Sequence, residues 1–283
     1  MHLRIDMQAT IYNPGPSTIR EGKMVWHLFT DMLNQYVEMI DVFPPARVTE
    51  KAERNVVALL KVPELSPGES FTPTVILALD TVARDWMVET QQVPPDVMKR
   101  HQSTFSKYQT YWETEDEGVQ ELVHMIAEKS NSDETYVRLA HRVVRERVKL
   151  KTHLNERRGA ARALREKEGD CDEHADLLVT LARAVQIPAR RVVGHYFRDE
   201  DRSEAHAWCE VLLQRYGWVP VDPALDRFGI LTERYFARMR EGLVSERPTI
   251  LLRYNRTSSQ SLRIEESVRI SKQDNRLRTK RSP

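Results

Sequence analysis

Apolar and polar residues alternate with period two along Ile5-Asp6-Met7-Gln8-Ala9-Thr10-Ile11-Tyr12, and the run stops at Asn13-Pro14-Gly15-Pro16. Such alternation sends one face of a strand inward and the other outward, and the Pro/Gly cluster is a turn signal. The pattern returns from Tyr36 to Phe43, where Pro44-Pro45 stops it. Two further apolar runs, Val56 to Val62 and Phe71 to Leu79, are separated by Pro63 and by Ser66-Pro67-Gly68. Short strands punctuated by turns predict a β-sandwich over residues 1–90.

From Asp96 the pattern changes. Residues 91–115 contain a polar stretch, Pro94 to Glu113, without a clear period, which reads as the connection between two domains. Val119, Leu122, Val123 and Ile126 then recur at helical spacing, followed by Val137, Leu139, Ala140, Val143, Val144 and Val148. These predict helices over 117–129 and 134–149, with Ser132-Asp133 as the cap of the second. A short helix over 159–167 is broken at Gly169, and Ala175, Leu177, Leu178, Leu181, Ala182 and Val185 trace one face of another helix that Pro188 stops. Strands follow at Arg191 to Tyr196, His206 to Leu213 and Trp218 to Asp222, with a charged loop over 197–204. Thr249 to Tyr254 and Ser261 to Ile270 read as strands of a C-terminal extension, so that 116–283 forms a second, mixed α+β domain.

Composition narrows the function classes. The 43 basic and 42 acidic residues nearly cancel, which removes any global electrostatic argument for nucleic acid or an anionic membrane. No apolar run reaches membrane-spanning length, and the N-terminus lacks the basic-then-apolar pattern of a signal peptide. Two cysteines do not make a disulfide framework, so a reducing cytoplasm is the expected location. The last 12 residues hold five basic side chains and one acidic one, a pattern that reads as a solvated terminus or, alternatively, a weak polyanion contact.

Chemistry concentrates around Cys171. It stands in Glu168-Gly169-Asp170-Cys171-Asp172-Glu173-His174-Ala175, at a helix start whose unpaired N–H groups and partial positive charge favour a thiolate. His206 follows 35 residues later in His206-Ala207-Trp208-Cys209-Glu210-Val211, and Asp222 ends the strand after Gly217-Trp218. A thiol, an imidazole and a carboxylate in contact form a nucleophile, its base and the group that orients the base. The bland alternative for Cys171 is an inert thiol at a capped helix, and for Asp222 a turn aspartate before Pro223. Asp170, Asp172 and Glu173 crowd the same helix end and oppose a thiolate unless they point away. Strand alternation places His206, Trp208 and Glu210 on one face and Ala207, Cys209 and Val211 on the other, which makes Cys209 a packing residue. It also separates His206 from Cys209, so these two and the Cys171/His174 pair do not converge as a tetrahedral zinc site. His174 is expected on the helix face beside the site. His195 could line the cleft, and His141 reads as a surface or boundary residue.

These residues resemble the transglutaminase-like core of bacteria and archaea. The resemblance rests on Gly169-Asp170-Cys171 with Ala175, Ile187-Pro188-Ala189-Arg190 with Val193-Gly194, His206-Ala207-Trp208 with Glu210-Val211, and Gly217-Trp218 with Val221-Asp222. Gln35-Tyr36-Val37, Pro44-Pro45 and Leu65-Ser66-Pro67-Gly68 are looser echoes of the immunoglobulin-like sandwich that often precedes this core. The resemblance implies a papain-like fold, with the cysteine on a central helix packed against an antiparallel sheet. It implies Cys171 as nucleophile, His206 as general base and acid, and Asp222 as orienting carboxylate. Trp208 and Trp218 would pack around the sheet, and the Cys171 N–H would supply half of an oxyanion hole. Two positions depart from the family: Gln186 replaces the usual glycine before Ile-Pro-Ala-Arg, and His174 replaces an aromatic or small residue.

The expected function is thiol-dependent acyl transfer from a protein or peptide substrate through a thioester, by hydrolysis or by transfer to an amine, with no cofactor and no membrane partner. The alternative is a binding or scaffolding protein that keeps the fold without turnover.

Overall fold

The computed structural model describes the chain except residues 89, 107–108, 152–153, 155, 200–201, 243–247, 255–261 and 274–283, so most of the basic C-terminal run lies outside the described residues. The N-terminal strands are β1 (His2–Tyr12), β2 (Gly22–His27), β3 (Gln35–Phe43), β4 (Arg47–Glu50), β5 (Val56–Val62), β6 (Ser70–Phe71), β7 (Thr74–Thr81) and β8 (Arg84–Asp85). Helices α1 (Pro95–Phe105), α2 (Glu117–Ala127) and α3 (Asp133–Arg147) follow, then β9 (Lys149–Leu150), α4 (Ala160–Glu166), β10 (Glu168–Gly169) and α5 (Cys171–Ala184). The chain continues through β11 (Ala189–Phe197), β12 (Ser203–Leu213), β13 (Gly217–Asp222), β14 (Arg227–Phe228), β15 (Ile230–Leu231), β16 (Tyr235–Glu241), β17 (Ile250–Tyr254) and β18 (Arg263–Lys272).

The alternation along β1 buries Leu3, Ile5, Met7, Ala9 and Ile11 on one face, as the period-two pattern predicts. They meet Met24 and Trp26 of β2 and Leu60 and Val62 of β5 in a core between two sheets. One sheet has the order β18-β1-β7-β3, with β6 also on β1, and the other the order β17-β2-β5-β4. The C-terminal extension is therefore not an appendage of the second domain. β18 runs antiparallel to β1 along ten residue pairs, from Leu3↔Lys272 to Tyr12↔Arg263, and β17 pairs with β2. Each sheet of the sandwich thus takes one strand from the far end of the chain. The physical reason is that β1 and β2 would otherwise each present an open edge of unpaired backbone groups.

The second layer system is α+β. Its sheet is antiparallel with the order β14-β13-β12-β11-β16, and α5 packs across β11 and β12. Ala175, Leu178, Val179 and Ala182 of α5 share one core with Ala207, Cys209 and Val211 of β12 and Val219 and Val221 of β13. The stretch read as a patternless connection contains α1, whose Met98 and Phe105 are buried. Met98 sits in a small apolar cluster with Val93 and Leu212, and Trp218 packs against it. With only two core positions, α1 leaves too sparse a periodicity to be seen in sequence.

The two parts interlock at β16. The Gln35 amide donates to Ala237 O at 2.7 Å and accepts from Ala237 N at 2.7 Å. Asn55 does the same to Arg240, donating at 2.9 Å and accepting at 2.8 Å. Two side-chain amides thus stand in for a neighbouring strand on the outer edge of the sheet, satisfying backbone groups that burial would otherwise orphan. Glu266 of β18 accepts from Trp26 Nε1 and Thr249 and pairs with Arg238 of β16, joining the sandwich core to the sheet of the second part. No helix among the described residues is long and apolar enough to cross a membrane.

Candidate active site

Cys171 is the first residue of α5 because Asp170 caps the helix. Asp170 Oδ1 accepts from Asp172 N at 2.8 Å, and Glu173 Oε2 accepts from Asp170 N at 2.9 Å, a reciprocal capping box. Gly169 is required just before it: a Cβ there would lie 2.5 Å from the Cβ of Glu173. The parallel pairing of β10 with β9 lays Leu150 and Lys151 beside Cys171, where both line its cleft.

The structure brings Cys171, His206 and Asp222 together. His206 Nε2 lies 2.7 Å from Asp222 Oδ2, and the imidazole also hydrogen-bonds the Cys171 side chain. With Nε2 committed to the carboxylate, Nδ1 is the nitrogen left for sulfur. Burial works against the charged ring, but the Asp222 carboxylate and Cys171 outweigh it and raise His206 to about 10. Asp222 is fully buried. Burial pushes its carboxyl up, and the positive His206 more than offsets this, leaving it below the usual carboxylate range.

Tyr235 belongs to the same assembly. Its hydroxyl donates to Asp222 Oδ2 at 2.8 Å, while Leu225 N donates to Oδ1 at 3.1 Å. Burial, then the adjacent Asp222 charge, push the phenol well above its ordinary range, so it remains a donor. Tyr196, Trp208 and Tyr235 surround the His206 ring at centroid distances of 5.8, 6.2 and 5.8 Å. Nothing local in the sequence marks Tyr235, since its role depends on β16 lying beside β11. Trp208 packs on His206, whereas Trp218 lies further along the sheet against Phe105 and Arg190.

The three carboxylates at the helix start are each engaged. Asp172 forms an ion pair with Arg191, whose other terminal nitrogen reaches Glu241 Oε2 at 2.7 Å. Arg157 also contacts Glu241, at 3.0 Å, and its Nε reaches Asp176 Oδ2 at 2.7 Å, extending the charge network beneath the helix. Burial raises the Asp172 carboxyl, but Arg191 overcomes this and holds it ionised. Glu173 is buried, accepts from Arg158 N and Asp170 N, and is pushed up to about 7 by burial. One carboxylate is thus neutralised by a cation and another is favoured as the neutral acid near neutral pH.

Cys209 lies on the opposite strand face from His206 and donates to Ala175 O at 3.2 Å; burial raises its thiol well above the ordinary value. His174 is buried beneath the helix start. Its Nδ1 lies 2.7 Å from Asp170 O and its Nε2 3.0 Å from Val148 O, so the ring is a structural tie and offers no nitrogen to a metal. Asp170, Cys171 and Asp172 have ligand atoms within 4.8 Å of one another, but Arg191 already holds Asp172 and the Asp172 N–H occupies Asp170. Cys171 in turn is held by His206, and three groups so committed do not fit a metal centre. His195 does not line the cleft: it is stacked on Phe236 at 5.9 Å and tilted against Phe29 at 5.7 Å, at the junction with the sandwich. His141 is buried rather than on the surface, 3.7 Å from Asp226. Gln186 has φ 62°, the left-handed conformation in which a glycine is least strained.

The cleft over Cys171 and His206 has a volume of about 370 Å³. Leu150, Val193, Ala205 and Leu225 provide apolar wall, and Lys151, Asp170, Arg198 and Glu204 provide charge.

Residues 120–223 match the family model of the transglutaminase-like superfamily. No curated protein sequence matches the chain. Among solved structures, a protein from Cytophaga hutchinsonii designated a candidate cysteine protease is similar over 97% of this chain and 92% of its own, with a TM-score of 0.63 at 17% identity. The periplasmic domain of TgpA from Pseudomonas aeruginosa aligns over 78% of this chain and 88% of its own, with a TM-score of 0.41 at 13% identity.

Proposed function

We propose that the transglutaminase-like core over residues 120–223 makes this protein a cysteine acyl-transfer enzyme acting on peptide or glutamine-type amides. The observation that carries the reading is the contact of His206 with both Cys171 and the buried Asp222. In the resting state the imidazolium donates from Nε2 to Asp222 and from Nδ1 to the Cys171 thiolate. The thiolate attacks the amide carbonyl carbon, forming a C–S bond and a tetrahedral oxyanion. The Cys171 N–H at the start of α5 is one donor toward that oxygen. His206 then gives its Nδ1 proton to the departing nitrogen as the C–N bond breaks, leaving a thioester and a neutral imidazole.

Water or an amine is activated by the neutral His206, attacks the thioester carbonyl, and releases the thiolate as the C–S bond breaks. We favour water, which yields a carboxylic acid and makes the protein a protease or amidase. A peptide or protein chain is the substrate that suits a cleft mixing apolar wall with both signs of charge. Two free cysteines, Cys171 and Cys209, suit a reducing, cytoplasmic setting.

The test is mass spectrometry of the protein after exposure to glutamine-containing peptides, with and without an added primary amine. The expected result is an acyl adduct on Cys171 and release of free acid or amine conjugate, which names the acceptor. His206→Ala should abolish the adduct and slow iodoacetamide alkylation of Cys171 by about tenfold or more. Alkylation equally fast in His206→Ala, with no acyl adduct, would overturn the reading.

A further inference from the structure

A second cleft, of about 650 Å³, lies between the sandwich, α1 and the catalytic sheet, and shares no lining residue with the cleft over Cys171. Its sheet wall is the face turned away from α5. Arg190 pairs in register with Glu210, which shares the strand face of His206 and Trp208, while Ala189 and Val211 point into the α5 core. The volume falls within the roughly 300–1,000 Å³ of small-molecule sites.

The chemistry of this wall is unbalanced. Glu210 Oε2 accepts from Arg190 Nε at 2.7 Å and from Arg240 Nε at 3.3 Å, so one buried carboxylate serves two buried guanidinium groups. One positive charge is left over in this trio, while Arg54, the third arginine of the lining, is exposed and faces Glu50 at 4.0 Å. Nη1 of Arg190 and Nη2 of Arg240 have no partner among the described residues. The remaining carboxylates around the cleft do not cancel the excess. Asp31 is exposed and accepts from Val37 N at 2.7 Å, and Glu53 lies against Gly242, where its charge acts on Arg183. Burial, then repulsion from Arg190 and Arg54, lowers Arg240, which outweighs the attraction of Glu210. Aromatic rings complete the walls: Trp218 with Arg190 stacked on it at 4.0 Å, and Trp86, Phe105 and Tyr216 around them.

We propose that this cleft is a second binding site, for a monocarboxylate with an apolar or aromatic body. A carboxylate bridging the free nitrogens of Arg190 and Arg240 supplies the missing negative charge through charge-assisted hydrogen bonds in a desolvated wall. A divalent anion would overshoot a single excess charge, and a neutral ligand would leave it unmatched.

The test is calorimetric titration of the full chain, with Cys171 blocked by iodoacetamide, against 3-phenylpropionate and the uncharged 3-phenylpropionamide. The acid is expected to bind one-to-one, with the amide weaker by about tenfold or more, the loss of one charge-assisted contact. Arg190→Gln should remove binding. Because that residue is buried and could be needed for folding, His101→Glu is the second variant, on the face of α1 that lines the cleft beside Trp218. It sets an internal carboxylate toward Arg190 and should weaken the acid by about tenfold or more without lowering Tm. Equal binding of acid and amide, no binding of either up to about ten millimolar, a concentration at which even millimolar affinity is measured, or full affinity in His101→Glu would overturn the proposal. Blocking Cys171 separates this site from the proposed reaction, so the two readings fail independently.

Discussion

The hydroxyl of Tyr235 donates to the same oxygen of Asp222 that receives His206 Nε2, at 2.8 Å against 2.7 Å for the imidazole. Two donors sharing one oxygen divide its charge, so Tyr235 limits how strongly Asp222 holds the proton on His206. Tyr235→Phe should cost about 1.5–3 kcal/mol, the range for a hydrogen bond to a charged group. It should also move the alkaline limit of Cys171 alkylation upward, because His206 faces a less shared carboxylate. Chemical denaturation and the pH profile of alkylation measure the two effects separately.

His206 carries its proton in the folded state up to about pH 10, against 6.5 for an ordinary imidazole. A base raised on folding contributes its full stabilisation below about pH 6.5 and loses it as pH climbs through the folded value. The urea midpoint should therefore fall between those limits, and His206→Gln should flatten the slope. His195 runs the other way. Burial and Arg238 hold it down to about 4, so it disfavours the fold increasingly as pH drops from 6.5 toward that value. His195→Phe should weaken the acid-side loss in the same titration.

Arg191 stands between Asp172 and Glu241 and is almost wholly buried. Arg191→Met leaves Asp172 without its partner and Glu241 with only Arg157. Breaking a buried pair from one side costs about 3–5 kcal/mol. Adding Asp172→Asn should recover part of that loss by removing one uncompensated carboxylate, a non-additivity that a double-mutant cycle reads directly. Alkylation of Cys171 should be slower in Arg191→Met than in the double variant, because only the former leaves an unscreened charge beside the sulfur.

Gln35 satisfies the N–H and C=O of Ala237 on the outer edge of β16. Gln35→Leu keeps much of the bulk and orphans both groups, at about 1–3 kcal/mol each. A shift of the urea midpoint smaller than that of an exposed control substitution such as Tyr36→Leu would contradict this account.

Gln186 pays the usual penalty of a side chain in the left-handed region, at φ 62°. Gln186→Gly should stabilise the protein by about 1 kcal/mol, the strain relieved less the entropy that glycine adds to the unfolded chain. Gln186→Ala should not, since it keeps the Cβ; thermal denaturation of the three proteins distinguishes them.

Much of this architecture is legible from local pattern. The alternation of β1, the capped start of α5 at Asp170, and the opposed faces of His206 and Cys209 follow from periods of 2 and 3.6 residues, which each segment carries within itself. The left-handed strain at Gln186 is foreshadowed by a single residue where glycine is usual. What local pattern does not carry is partnership. β17 and β18 read as strands at the chain's end, but only an open edge on β2 and β1 decides that they close the sandwich. Likewise Asp170, Asp172 and Glu173 read as a crowd of charges hostile to a thiolate. Arg191 reaches Asp172 from β11, and a fully buried pocket takes Glu173 toward its neutral form. Charge balance and strand pairing depend on distances through space between residues far apart in the chain, so tertiary structure alone decided them.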